Sequence, residues 1–192
     1  MIKINNLPIK WLGDRVRILD QTRLPHEEVY LELSHYQSIA SAIVELKIRG
    51  APAIGIVGAY GIALGALKIE ATTRDEFLGK LRDITQTIAA TRPTARNLFQ
   101  AIDRMEQVAK ANKDIAQIKV GLVNEATKIY SEEIEATRKL GQLGAELIQD
   151  GFTVLTHCNT GALATAGYGT ALGVIKQAKE QGKKLKVFAK IG

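Results

Sequence analysis

From Ala51 to Leu67 the chain carries no charged side chain, and glycine recurs inside that run at Gly55, Gly58, Gly61 and Gly65. No other stretch limits the fold as strongly. The run is apolar but falls short of the roughly 20 residues that a membrane span needs. It reads as a helix buried among other helices. Pro52 suits the first turn of such a helix, where its missing N–H is not needed. Each glycine inside a helix costs about 1 kcal/mol relative to alanine. Four of them, three or four residues apart, line one face. That pattern predicts close approach of another backbone or of a ligand.

The remaining elements follow from periodicity. Arg15 to Asp20 and Glu28 to Leu33 alternate and are rich in β-formers, so both read as strands. Ser34 is placed to cap a helix that runs to about Lys47, with Ile39, Ala42, Ile43 and Leu46 on its apolar side. Thr72 or Thr73 caps a helix to about Ala90, which Thr91-Arg92-Pro93-Thr94 breaks. Further helices are predicted from Ala95 to about Ala111 and from Ile115 to about Gln149.

At Asp150-Gly151 the pattern changes. Phe152 to Thr156 reads as a short buried strand, and His157 to Gly161 as a loop. A helix is expected from Ala162 to about Glu180, then a second strand from Leu185 to Ala189. Strand, loop, helix and strand make one βαβ unit, the start of a doubly wound parallel sheet. One such unit cannot cover both faces of a parallel sheet. Apolar faces left open favour association, so a dimer or higher oligomer is expected.

Composition narrows the classes. Hydrophobic residues are 46% and charged residues 24%, a globular balance, and aromatics are only 5%, so the core must be aliphatic. The net charge is +6, but the lysines and arginines are scattered. The one dense cluster, Lys183, Lys184 and Lys186, is too short for a nucleic-acid stripe. No nucleic-acid or membrane partner is expected. Cys158 is the single cysteine, so neither an intramolecular disulfide nor a cysteine-based metal cluster can form. Residues 1–11 lack the apolar core of a signal peptide, and a cytoplasmic location is expected.

Three segments carry chemistry. In Arg49-Gly50-Ala51-Pro52-Ala53-Ile54-Gly55 an arginine stands beside a tight turn at a helix start. A guanidinium fork and free helix N–H groups suit phosphate. A structural turn with a surface arginine explains the same residues equally well. Thr91-Arg92-Pro93-Thr94-Ala95-Arg96-Asn97 repeats the logic more weakly, and a plain helix boundary capped by Thr94 is its alternative. Thr156-His157-Cys158-Asn159-Thr160-Gly161-Ala162-Leu163-Ala164-Thr165 lies at the carboxyl end of a strand, where open α/β sheets bind ligands. Cys158 just before a helix start suits proton transfer, because that position favours the thiolate. Its alternative is a small inert hydrophobe. His157 reads as an orienting or packed side chain.

These segments closely resemble the methylthioribose-1-phosphate isomerase family. The matching runs are Ile48 to Gly55, Arg92-Pro93-Thr94-Ala95 with Asn97-Leu98-Phe99, and Leu155 to Asn159 with Gly161 to Thr165. Gly167 to Gly173, and Asp20-Gln21 with Leu24-Pro25, extend the match over essentially the whole chain. The family is related to the regulatory subunits of the translation factor eIF2B and to ribose-1,5-bisphosphate isomerase. The resemblance implies conversion of an aldose 1-phosphate to a ketose 1-phosphate in methionine salvage. It makes Cys158 an acid/base group, gives Arg49 and Arg92 the substrate phosphate, and gives Gly50 and Ala51 backbone contacts. It implies no metal or organic cofactor, a small-molecule sugar phosphate as ligand, and a homodimer. Two alternatives stand beside it: a non-catalytic regulatory module of the eIF2B kind, and an isomerase of 5-deoxyribose 1-phosphate.

The departures are local except for one. Arg96 and Gln100 stand where apolar or aromatic residues are expected, and Thr160 where alanine is. After the second strand the family continues with an acidic residue and a Thr-Arg-Pro stretch, whereas this sequence reads Lys190-Ile191-Gly192. The family's catalytic aspartate therefore has no counterpart here, and little activity is expected of these residues alone. The fold class expected is α/β: a mainly helical N-terminal domain with a few antiparallel strands over 1–150, then the first βαβ unit of a Rossmann-like domain over 151–192.

Overall fold

Alternating apolar side chains place the first strands against the core. In the computed structural model, which describes residues 7–190, β1 (Ile9–Trp11), β2 (Val16–Leu19) and β3 (Tyr30–Leu33) form an antiparallel sheet in the order β1-β2-β3. Ile18 pairs with Ile9 on one side and Leu31 on the other, and Ile9, Val16 and Ile18 are fully buried. β2 and β3 are the two expected strands, trimmed. β1 was not expected, because three residues give too short an alternation to read. Readings that touch residues 1–6 and 191–192 lie outside the described residues.

Five helices follow: α1 (Tyr36–Val44), α2 (Ala51–Leu67), α3 (Arg74–Ala90), α4 (Arg96–Ala111) and α5 (Ile115–Glu146). α2 is the uncharged run and is buried from Ala53 through Ala66. The other four helices surround it. Each fully buried Ile, Leu or Val contributes about 1.5–3 kcal/mol, so this helix is the centre of the core.

Its glycines do what their spacing predicts, but mostly against side chains. A Cβ on Gly61 would stand 3.1 Å from Ile39 and 3.2 Å from Ile88, and one on Gly65 would stand 2.8 Å from Ile84. A Cβ on Gly58 would overlap Leu98. Only at Gly55 is the neighbour a backbone, the Asn97 carbonyl at 2.9 Å. The face receives three helices.

Capping fixes where helices begin. The Thr73 hydroxyl accepts the Glu76 N–H and the Asp114 carboxylate accepts the Gln117 N–H, each worth about 1 kcal/mol. Ser34 does not cap α1. That helix starts at Tyr36 after an uncapping His35, and the Ser34 hydroxyl pairs with His35 Nδ1 instead. α1 also stops at Val44 rather than Lys47. Leu46 turns left-handed (φ 59°), and the Lys47 N–H returns to the Ala42 carbonyl at 2.9 Å.

β4 (Thr153–His157), α6 (Ala171–Glu180) and β5 (Lys186–Lys190) complete the chain. β4 and β5 pair in parallel, Val154 opposite Val187 and Leu155 opposite Phe188. α5, 32 residues and about 48 Å long at 1.5 Å per residue, reaches from the α2–α4 layer to α6. Gly141 receives Tyr168 and Gly144 receives Val174, so these glycines pack its last turns. Leu155 (74% exposed) and Phe188 (52%) share one open face of the two-stranded sheet.

The helix expected from Ala162 begins at Ala171. Between them lie a 3-10 turn (Ala162–Ala164) and a loop. The buried Thr165 hydroxyl takes the Gly167 and Gly169 N–H groups, and both glycines have positive φ. Amides used this way, in backbone conformations that L-residues avoid, cannot continue a helix. Among the described residues, no helix is long and apolar enough to cross a membrane.

Candidate functional site

The turn before α2 is anchored by Ile48, which is fully buried. Gly50 follows at φ 102° and stands as the residue before the first helical turn, with no side chain to cap it. Its carbonyl accepts the Ile54 N–H at 3.0 Å. Pro52 has no N–H, so the amides of Ala51 and Ala53 are left at the helix end without an intrahelical acceptor. The positive end of the helix dipole adds to them. Arg49 and Ala51 are exposed. Among the described residues Arg49 has no carboxylate partner.

The second segment lies against the same helix end. The Thr91 hydroxyl and N–H both go to the Ile88 carbonyl, closing α3. The Ala95 N–H returns to the Arg92 carbonyl at 3.0 Å. α4 begins at Arg96 after Ala95 and has no side-chain cap, so Thr94 does not play the capping part expected of it. Half-buried Arg92 is likewise without a carboxylate partner among the described residues. The Asn97 carbonyl meets α2 at Gly55.

The third segment continues from β4. Thr156 is buried, and its hydroxyl lies 3.0 Å from that of Thr160. Cys158 is exposed, with φ 73°, a left-handed conformation uncommon for a non-glycine residue. Its N–H donates to the Lys190 carbonyl, beside the His157 ring, whose Nδ1 lies 3.2 Å from the same carbonyl. The start of α6 is closed by Thr160, whose carbonyl accepts the N–H groups of Thr170 and Leu172. The helix start expected just after Cys158 is therefore absent, and with it that ground for an activated thiol. What reaches the Arg49 turn is the 3-10 turn. A Cβ on Gly50 would stand 2.4 Å from the Ala164 Cα.

The N-terminal turn of α2, the first segment, is thus flanked by the other two, with Ala164 against Gly50 and Asn97 against Gly55. Gln21, 3% exposed, ties them further. Its N–H donates to the Lys47 carbonyl at 2.9 Å and its side-chain amide to the Leu163 carbonyl at 2.9 Å. Asp20 beside it is also buried and accepts the Thr22 N–H and hydroxyl.

Two features escape sequence reading. Gln21 stands out only as part of a matching motif, and nothing in its pattern shows a contact 142 positions away. Glu133 on α5 lines a cavity of about 230 Å³ with Pro52, Gly55, Asn97, Gln100 and Arg104. Burial pushes its carboxyl above the usual glutamate range. Arg104 there is held by Glu125 and Glu132, both at 2.6 Å. Among the described residues no group of three or more His, Cys, Asp or Glu side chains is placed to hold a metal. The arrangement suits an anion at the helix end, held by guanidinium and amide groups, with a thiol on the adjoining segment.

Known proteins share the sequence and the fold of this chain. The model of the initiation factor 2 subunit family matches residues 47–190. A methylthioribose-1-phosphate isomerase from Dehalococcoides mccartyi is 58% identical over 181 residues, 94% of this chain and 54% of that protein. The crystal structure of 5-methylthioribose 1-phosphate isomerase from Pyrococcus horikoshii superposes with a TM-score of 0.88 at 30% identity, over 97% of this chain and 61% of that one. The translation initiation factor eIF-2B subunit delta from A. fulgidus gives 0.82 at 43% identity, over 95% and 54%. The chain spans about half the length of the curated relatives it matches.

Proposed function

Because this chain belongs to the initiation factor 2 subunit family, we propose that it carries the phosphate-holding part of a methylthioribose-1-phosphate isomerase of methionine salvage. The observation that supports this most is the meeting of three segments at the start of α2. Arg49 and Arg92 hold the phosphate, and the Gly50–Ala51 turn offers it backbone contacts. Cys158 acts as the acid/base group. The phosphate sits on the anomeric oxygen and keeps the sugar ring from opening unaided. A proton must reach the ring oxygen, and a hydrogen must move from C2 to C1. Substrate and product are isomers, so no oxidant or reductant is consumed.

Residues 1–150 form the helical domain in this reading, and 151–192 begin the α/β domain. The place of action is the cytoplasm, and the working form is a homodimer. The open face carrying Leu155 and Phe188 supports the dimer. A sedimentation experiment returning a monodisperse monomer contradicts it.

The fit to an eIF-2B subunit delta at 43% identity favours a second reading, a non-catalytic regulatory module. Phosphorus NMR separates the two. The chain is mixed with methylthioribose 1-phosphate and the signal followed over hours. Slow conversion to the ketose phosphate, lost in Cys158→Ser, supports the isomerase. No conversion and no perturbation of the substrate signal sinks it in favour of the regulatory module. The same assay with 5-deoxyribose 1-phosphate reads the sugar's 5-substituent.

A further inference from the structure

We infer that Gln21 is a positioning residue that holds the Cys158 segment at a fixed distance from the Arg49–Gly50 turn. The inference rests on the isomerase reading for its ligand but on geometry alone for the clamp.

The Gln21 backbone is fixed at one end. Its N–H donates to the Lys47 carbonyl, two residues before Arg49. Its side chain is fixed at the other end, donating to the Leu163 carbonyl, one residue before the Ala164 that lies on Gly50. A buried amide donor left without its acceptor costs about 1–3 kcal/mol, so both bonds resist breaking. Gln21 stands two residues after the end of β2, and β2 is buried in the core through Val16, Ile18 and Leu19. The clamp therefore stands on rigid structure.

Of the other hydrogen bonds that shape the cysteine segment, those of the Cys158 N–H and the His157 ring go to the Lys190 carbonyl of β5, and the rest are internal to it. Thr156 meets Thr160, the Thr160 carbonyl closes the start of α6, and Thr165 gathers Gly167 and Gly169. These give the segment its shape and leave its placement against the phosphate turn undetermined. Away from the turn, Ala166 is buried in the core, Gly167 lies against Leu7, and Tyr168 and Val174 pack on Gly141 and Gly144. At the turn itself two contacts place the segment, the apposition of Ala164 on Gly50 and the Gln21 bond. The first sets how closely the two backbones approach. The second is directional and fixes the segment in register along the turn. A ligand whose phosphate is held at the Arg49 turn then presents its sugar to the Cys158 side at one distance only. That coupling needs no contact between Gln21 and the ligand.

Gln21→Met keeps the volume and removes the donor. Gln21→Glu keeps the shape and turns an acceptor toward the Leu163 carbonyl. Two readouts on the whole chain test the clamp. The first is amide hydrogen exchange over residues 161–165, with thermal melting as the control for folding. The second is alkylation of Cys158 by iodoacetamide, with and without ribose 1-phosphate, and with inorganic phosphate as the probe of the arginine turn alone.

The clamp predicts exchange about tenfold faster in both variants. It also predicts alkylation without ligand close to wild type, phosphate binding nearly unchanged, and loss of the sugar phosphate's protection of Cys158. A merely structural residue would lower phosphate binding and melting temperature together instead. Wild-type exchange rates in both variants, or protection retained in both, overturn the clamp. If ribose 1-phosphate fails to protect Cys158 even in wild type, the isomerase reading falls, and exchange alone decides the clamp.

Discussion

Gly50 and Ala164 lie in backbone contact, so close that a Cβ built on Gly50 would stand 2.4 Å from the Ala164 Cα. The φ of 102° at Gly50 adds conformational strain for any L-residue. Gly50→Ala is therefore expected to cost about 2–4 kcal/mol, a melting temperature lower by about 5–12 °C in a chain of this size. Gly13 has nearly the same φ, 96°, but nothing within 4 Å of its Cβ position. Gly13→Ala carries the strain alone and should cost about 1 kcal/mol. Thermal melts of the two variants separate contact from strain.

Two other glycines give opposite signs. Gly79 is exposed in the middle of α3 with open space around its Cβ position. Gly79→Ala should stabilise by about 0.5–1 kcal/mol through helix propensity. Gly65 in α2 faces Ile84 at 2.8 Å. There the same substitution overpacks the core and should cost about 1–2 kcal/mol net. Urea titration of both reads the signs directly.

The half-buried Glu133 makes stability depend on pH. Its folded carboxyl titrates above the ordinary value of 4.5 because burial disfavours the charge. As pH rises from that value, the unfolded chain loses this proton first while the folded chain still holds it. The folded state binds more protons, so stability falls with rising pH until the raised value is passed. Glu133→Gln removes that slope. Urea unfolding should show the variant more stable than wild type at neutral pH, with the gain shrinking as pH falls below the ordinary glutamate range. A gain independent of pH contradicts the assignment.

Much of this was legible in the sequence where the signal was local. The uncharged run from Ala51 to Leu67 gave the central helix within its true bounds. Thr73 and the break at Thr91 to Thr94 gave the limits of α3. Apolar alternation gave β2 and β3. The failures share a cause. From Ala162 to Thr170 the small residues are compatible with a helix, and only the Thr165 hydroxyl, bonded to two later amides, turns the chain away from one. Ser34 has a capping side chain, but it is spent on His35. Gln21 and Glu133 gain their meaning from partners far along the chain, which periodicity does not report. Arg49, Arg92 and Cys158 stand out in sequence by residue type and turn context. That their segments meet at one helix end is a property of the packing of Gly50 on Ala164 and Gly55 on Asn97.

The central claim is that the start of α2, with Arg49, holds the phosphate of a sugar 1-phosphate. The most direct test is a titration of methylthioribose 1-phosphate with the chain, read by phosphorus NMR, in wild type, Arg49→Gln and Cys158→Ser. The account predicts a saturable shift in wild type, retained in Cys158→Ser and weakened about tenfold or more in Arg49→Gln, as expected for loss of a charge-assisted hydrogen bond. An unperturbed signal in wild type, or an undiminished shift in Arg49→Gln, contradicts it.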